Sequence, residues 1–145
     1  MSCRDFTNDL QAVISSRVPS PARGYIVQVR SAQSWRVTYG ASGLGSWGTA
    51  TGGSLTLKQP SVLTYIHNST TGTVYTNGTV GTPTTNGLSA NKQYCLRIGG
   101  GSNEQAQPLN YFNGDIAEII IYNRDLTDAE RQLVEQYLKD KYEIQ

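Results

Sequence analysis

Short runs of β-branched and aromatic residues recur along this chain, each closed off by glycine, asparagine or proline. They include Tyr25-Ile26-Val27-Gln28-Val29-Arg30, Trp35-Arg36-Val37-Thr38-Tyr39, Ser54-Leu55-Thr56-Leu57-Lys58, Val62-Leu63-Thr64-Tyr65-Ile66-His67 and Tyr94-Cys95-Leu96-Arg97-Ile98. Runs this short, bounded by turn residues, read as the strands of a sandwich or barrel. Between Gly40 and Gly87 stand ten Gly, twelve Thr and five Ser. That composition alone would suit a disordered linker, and the recurring apolar runs set order above disorder there. Val74-Tyr75-Thr76-Asn77-Gly78-Thr79-Val80 is the sharpest local signal. Asn-Gly supplies the two positive-φ residues of a type I′ turn, so it predicts a tight hairpin.

The most apolar run, Ile116-Ala117-Glu118-Ile119-Ile120-Ile121-Tyr122, has the length of a strand buried on at least one face. Asn123-Arg124-Asp125-Leu126 then turns the chain into Thr127-Asp128-Ala129-Glu130, a capping box that opens a helix over about 128–141. Leu133, Val134, Tyr137 and Leu138 make one apolar stripe, predicted to pack on the sandwich. Glu135 and Lys139 are expected as an i,i+4 pair on the solvated face.

Charge removes several function classes. Leu10 to Asn103 contains no Asp or Glu, while the last 31 residues carry eight acids and four bases. The formal charge is only +1, which argues against a nucleic-acid partner held by phosphate contacts. No apolar run nears the ~20 residues needed to span a bilayer, so no membrane insertion is expected. Met1-Ser2-Cys3-Arg4-Asp5 leads into no secretory apolar region, which implies export without a signal peptide or none. Cys3 and Cys95 are accordingly expected reduced. The 145 residues suit one domain, 1–145, with strands over about 6–122.

Catalytic motifs are weak. Gly43-Leu44-Gly45-Ser46-Trp47-Gly48 matches a dinucleotide fingerprint, but Thr49-Ala50-Thr51-Gly52-Gly53 cannot open the helix that phosphate binding needs, so it reads as a Gly-rich loop. His67 is the only histidine, and no carboxylate lies within 10–103 to orient it. Glycoside hydrolysis needs two flanking carboxyl groups; Asp115 and Glu118, three apart along a strand, point to opposite faces. Glu118 suits a structural ion pair with an arginine. Asn113 and Asp115 offer hard oxygens for calcium, yet one carboxylate makes a weak site and a turn-capping role suits Asn113-Gly114-Asp115 better. No cofactor is therefore expected. The sequons at Asn68 and Asn77 read as products of an Asn/Thr-rich composition. Trp35, Tyr39, Trp47 and Tyr111 lie in or beside Gly/Ser/Asn-rich turns, where exposed rings can stack on sugars, and the same composition suits an ordinary sandwich core equally well. With Asn113, they are the candidate ligand contacts.

In chain order, Val62 to Asn68, Thr73-Val74-Tyr75-Thr76-Asn77-Gly78, Leu96-Arg97-Ile98-Gly99-Gly100 and Tyr111-Phe112-Asn113-Gly114-Asp115 running on to Arg124 form a pattern. It resembles the laminin-G-like, concanavalin A-like jelly rolls over roughly 5–142. Leu126-Thr127-Asp128-Ala129-Glu130-Arg131 and its helix look like the bacterial and phage versions, and Phe6-Thr7 leading to Ser15-Ser16 resembles the early core strand. The resemblance implies an all-β fold, a two-sheet antiparallel jelly-roll sandwich with one C-terminal α-helix. It implies binding or adhesion without catalysis, because the E-x-D-x-x-E run of the family's glycosidases and the acidic metal ligands of its legume-type lectins are missing. Family members commonly carry further strands before the position of Phe6, so either the sandwich is minimal or a sheet edge is left for a neighbour to cover. The expectation is a recognition or assembly module of a phage particle or surface assembly, such as a decoration or fibre protein. Glycans, protein neighbours and further copies of the chain are its expected partners. A free lectin-like carbohydrate-binding module and a cytoplasmic location are the alternatives.

Overall fold

The computed structural model describes residues 1–6, 10–18, 20–41, 45–101 and 107–145. Its elements are β1 (Ser2–Cys3), β2 (Gln11–Val18), β3 (Arg23–Arg30), β4 (Ser34–Gly40), β5 (Trp47–Ser54), β6 (Leu63–His67), β7 (Thr71–Thr76), β8 (Thr79–Val80), β9 (Thr84–Thr85), β10 (Arg97–Ile98), β11 (Gly114–Asp115) and α1 (Asp128–Tyr142). One sheet runs β10-β2-β3-β4-β5; a second runs β6-β7-β8, with β9 also on β7; β1 pairs β11. The named strands pair antiparallel, and one helix closes the chain, as the expected fold class requires.

Period two builds the core. Register pairs Tyr25 with Tyr39, Val27 with Val37 and Val29 with Trp35, and residues opposite one another share a sheet face. Val29, Trp35, Val37 and Tyr39 bury there with Val13, Ala50 and Leu55, and the second sheet supplies Val74. The predicted hairpin forms at Asn77-Gly78 (φ 50° and 91°), which joins β7 to β8 with Thr76 opposite Thr79.

Several expectations need correction. Trp47–Ser54 is a strand, β5, where the glycines pointed to a loop; Gly43 and Leu44 of that motif lie outside the described residues. The glycines are there for the core aromatics. A Cβ at Gly48 would sit 2.9 Å from the Tyr39 ring, and one at Gly52 would sit 2.0 Å from Trp35 Nε1. The register slips between Ser34 and Arg36, so Gly52 and Gly53 bulge past the indole.

The run Ser54–Lys58 is mostly not a strand, because the chain there crosses from β5 toward the second sheet. Leu55 turns into the core at 4% exposure, and Lys58 takes φ 60° in the turn that follows. Only Arg97–Ile98 of the Tyr94–Ile98 run joins a sheet, on the edge beside β2.

The apolar run 116–122 is not laddered. Pairing with β1 covers Gly114 and Asp115 alone, and beyond Asp115 no strand among the described residues lies alongside to complete it. Ile121 is left 60% exposed.

The helix begins at the predicted capping box: Thr127 accepts from the Glu130 N–H, and Glu130 reaches back to the Thr127 backbone. Its buried face differs from the apolar stripe. Leu133 and Tyr137 face outward, whereas Arg131 and Glu135 are buried and joined at 2.7 Å. The Arg131 guanidinium lies 3.9 Å above the Tyr75 ring, so the sheet presents an aromatic face and the helix answers with a cation. Lys139, expected to pair Glu135, instead donates to the Asn77 carbonyl at 2.8 Å. Among the described residues no helix is long and apolar enough to cross a membrane.

Candidate functional site

The five candidate ligand contacts do not converge. Trp35 and Tyr39 are 1% and 0% exposed, so they are core residues and not sugar platforms. Both sit on the inward face of a central strand, and their polar atoms are spent inside: Trp35 Nε1 donates to Thr76 Oγ1 at 2.7 Å, and the Tyr39 hydroxyl donates to the Thr84 carbonyl at 3.0 Å. Trp47 is half-buried with the Arg17 guanidinium 4.8 Å from its ring centroid. Tyr111 is exposed, and a Cβ on Gly100 would lie 3.1 Å from its ring. Asn113, also exposed, donates its backbone N–H to Gln11 Oε1 at 2.9 Å and its side-chain amide to the Asp5 carboxylate. Tyr111 bridges Ala12 while Trp47 neighbours Arg17. Those two contacts are five positions apart on β2, about 17 Å along a strand.

The titratable side chains singled out as candidates are held in structural bonds. Asp115 pairs with Arg4 at 2.8 Å. Glu118 accepts from Lys141 at 3.1 Å and from the Tyr142 hydroxyl at 3.0 Å, so its partner is a lysine and not an arginine. The Tyr137 hydroxyl and the Glu118 carboxylate together push the Lys141 ammonium pKa up. His67 Nε2 lies 3.0 Å from the Asn86 carbonyl, and its ring meets Tyr39 edge-on at 5.0 Å. Glu104 lies outside the described residues. Among the described residues no three His, Cys, Asp or Glu gather as a metal site would require. Cys3 is buried, Cys95 exposed, and both are free thiols.

The sequon asparagines serve turns. Asn68 Oδ1 accepts from the Thr70 and Thr71 N–H groups, and Asn77 Oδ1 accepts from Val62 N–H.

What the sequence reading missed is a cleft of about 820 Å³. One wall is β6, with Leu63, Tyr65 and His67; the facing wall is the unladdered run around Ile119 and Ile121. Val27 of the first sheet forms the floor, and Val134 and Leu138 of α1 form the roof. Met1 stands at one end. Its amino group donates to the Ser61 carbonyl and Ser61 N–H donates back to the Met1 carbonyl, each at 2.7 Å. Burial pushes the pKa of that amino group down. Two lining residues hold buried polar atoms without a partner among the described residues, the Tyr65 hydroxyl and Glu135 Oε1. Burial, reinforced by Tyr39 and Tyr25, pushes the Tyr65 hydroxyl pKa up. The one signal in sequence was the apolar run itself, which has more hydrophobic surface than its neighbours cover.

Comparison with known proteins gives the family. The model of the concanavalin A-like lectin/glucanases superfamily, laminin G type, matches residues 4–130. No curated protein matches the chain. A crystal structure of residues 221–444 of an S-layer domain-containing protein from Clostridium thermocellum is similar at 22% identity, covering 93% of this chain and 67% of that one with a TM-score of 0.43. The family match spans most of the chain, and the antiparallel sheets and closing helix agree with it: the chain belongs to the concanavalin A-like lectin/glucanase superfamily.

Proposed function

We propose that this chain is a non-enzymatic recognition and assembly module, built into a larger particle or surface assembly, with a phage decoration or fibre protein as the setting its closing segment resembles. The observation that carries the reading is the cleft. It is a large concavity walled by Ile, Leu and Val, whereas the carboxylates and His67 are spread among separate structural bonds. An apolar concavity of this size fits a protein neighbour better than a polar substrate. No cofactor enters the proposal.

The test follows the chain in native extract by size. The module is expected in a particle-sized fraction, and Leu138→Asp in the cleft roof is expected to release it as a small soluble species. A wild-type chain that runs free, or that turns over a polysaccharide with Asp115→Asn or Glu118→Gln abolishing turnover, overturns the reading.

Glycan recognition is a second reading, and one observation favours it: Tyr111 is 63% exposed beside exposed Asn113, an open ring next to an amide. A glycan array followed by titration tests it. Saturable binding of one sugar, lost in Tyr111→Ala and kept in Trp47→Ala, supports it; no sugar response rejects it.

A further inference from the structure

The backbone around the cleft is specific about what belongs inside. In β6 the Val62 carbonyl accepts from Asn77 N–H and Asn68 N–H donates to the Thr71 carbonyl, so residues of even number turn their backbone groups toward β7. Groups on a strand alternate sides, so Ser61, Leu63, Tyr65 and His67 turn theirs the other way. Ser61 meets Met1 there in a reciprocal pair. The next three find no backbone partner among the described residues, and β6 is the edge of its sheet.

The facing wall mirrors this. The Asn113 carbonyl accepts from Arg4 N–H, and Asp115 stands opposite Ser2, so that row faces β1. From Asp115 the chain runs to Tyr122 without turn or bend, which places Ala117, Ile119 and Ile121 in the same row. None of the three makes a backbone hydrogen bond to a described residue. β1 therefore lies between two edges, bonded to Ser61 on one side and to β11 on the other. The cleft lies between β6 and the run 116–122.

We propose that the cleft is a strand-acceptor site that takes an extended segment of another polypeptide, antiparallel to both walls, with its C-terminal end toward Met1. The inference rests on the assembly reading above and names the partner's chemistry. Two rows of unpaired N–H and C=O groups require a backbone between them, which a lipid tail, a sugar or a helix cannot provide. β6 has five residues, so the guest spans about five, roughly 17 Å. Its side chains meet apolar surface on both faces, Val27 on the floor and Leu138 on the roof. A guest buried on both faces reads as a continuous Val/Ile/Thr run without alternation. A small polar residue in it would also give the Tyr65 hydroxyl or Glu135 Oε1 its missing partner.

The test titrates the whole chain with a synthetic nine-residue peptide, five central Val, Ile and Thr residues flanked by lysines. A second peptide carries N-methyl groups on alternate central residues. The expected result is saturable binding, at least tenfold weaker for the N-methylated peptide and for Leu138→Asp with the first peptide. Hydrogen exchange should slow at Leu63, Tyr65, His67, Ala117, Ile119 and Ile121. Absence of binding, equal binding of both peptides, or a dimer of the chain that excludes the peptide would overturn the proposal. A failure of the assembly reading is seen separately, as sugar saturation or turnover while the peptide still binds.

Discussion

Trp35 Nε1 donates a 2.7 Å hydrogen bond to Thr76 Oγ1, and that bond joins the two sheets through the middle of the core. Trp35 belongs to β4 and Thr76 to β7, and Gly53 N–H donates to the same oxygen at 3.0 Å. Thr76→Val keeps the shape and removes the acceptor for both donors. Leaving a buried donor unpaired costs about 1–3 kcal/mol. Denaturant unfolding is expected to show that loss for Thr76→Val and a much smaller one for Thr76→Ser.

Adjacent glycines in β5 should respond differently to one methyl group. A Cβ at Gly52 would lie 2.0 Å from Trp35 Nε1, whereas one at Gly53 meets nothing nearer than Thr76 Oγ1 at 3.4 Å. Overpacking a filled core costs about 1–3 kcal/mol. Gly52→Ala is expected to lower Tm clearly and to change tryptophan fluorescence, and Gly53→Ala to leave both close to wild type.

Arg131 and Glu135 form a pair with each side chain only 6% exposed. Removing one partner strands the other charge out of water, at about 3–5 kcal/mol, whereas replacing both with apolar residues is often neutral. Arg131→Met is therefore expected to destabilise strongly, also losing the contact with Tyr75. The double variant Arg131→Met, Glu135→Leu should recover most of the loss. A thermodynamic cycle of the two single variants and the double one measures this.

The helix cap gives a pH signature. The Arg124 guanidinium, helped by the Thr127 N–H and hydroxyl, holds the Glu130 carboxyl down to about 2 from an ordinary 4.5. A carboxylate whose pKa falls on folding adds stability above its unfolded value, and that contribution is lost as pH falls through the folded value. Wild type is therefore expected to lose stability between about pH 4.5 and 2. Glu130→Gln should start lower and show a shallower loss over that window. Tm against pH for the two proteins checks it.

Much of the fold was legible because its signals are local. Asn77-Gly78 needs only its own φ preferences to make a hairpin, and Thr127 with Glu130 needs only one turn of chain to cap a helix. The first core strands were legible as well, since period two along Tyr25–Arg30 and Trp35–Tyr39 is written in the residues themselves. The candidate site was not. The strand Trp35–Tyr39 was legible, but nothing in it showed that the rings of Trp35 and Tyr39 would turn inward, or that Gly48 and Gly52 would clear space for them.

The chain's own residues determined an antiparallel β architecture, its closing helix and the hairpin, because each depends on propensities and spacings within a few positions. Only the tertiary structure decided that the apolar run 116–122 would stand unladdered across a cleft from β6. A strand exists by virtue of the backbone beside it, and hydrophobicity specifies the wish to be covered without naming the cover. The same holds for Glu135, expected on the solvated face: Arg131 packs over the Tyr75 ring and draws the carboxylate inside with it.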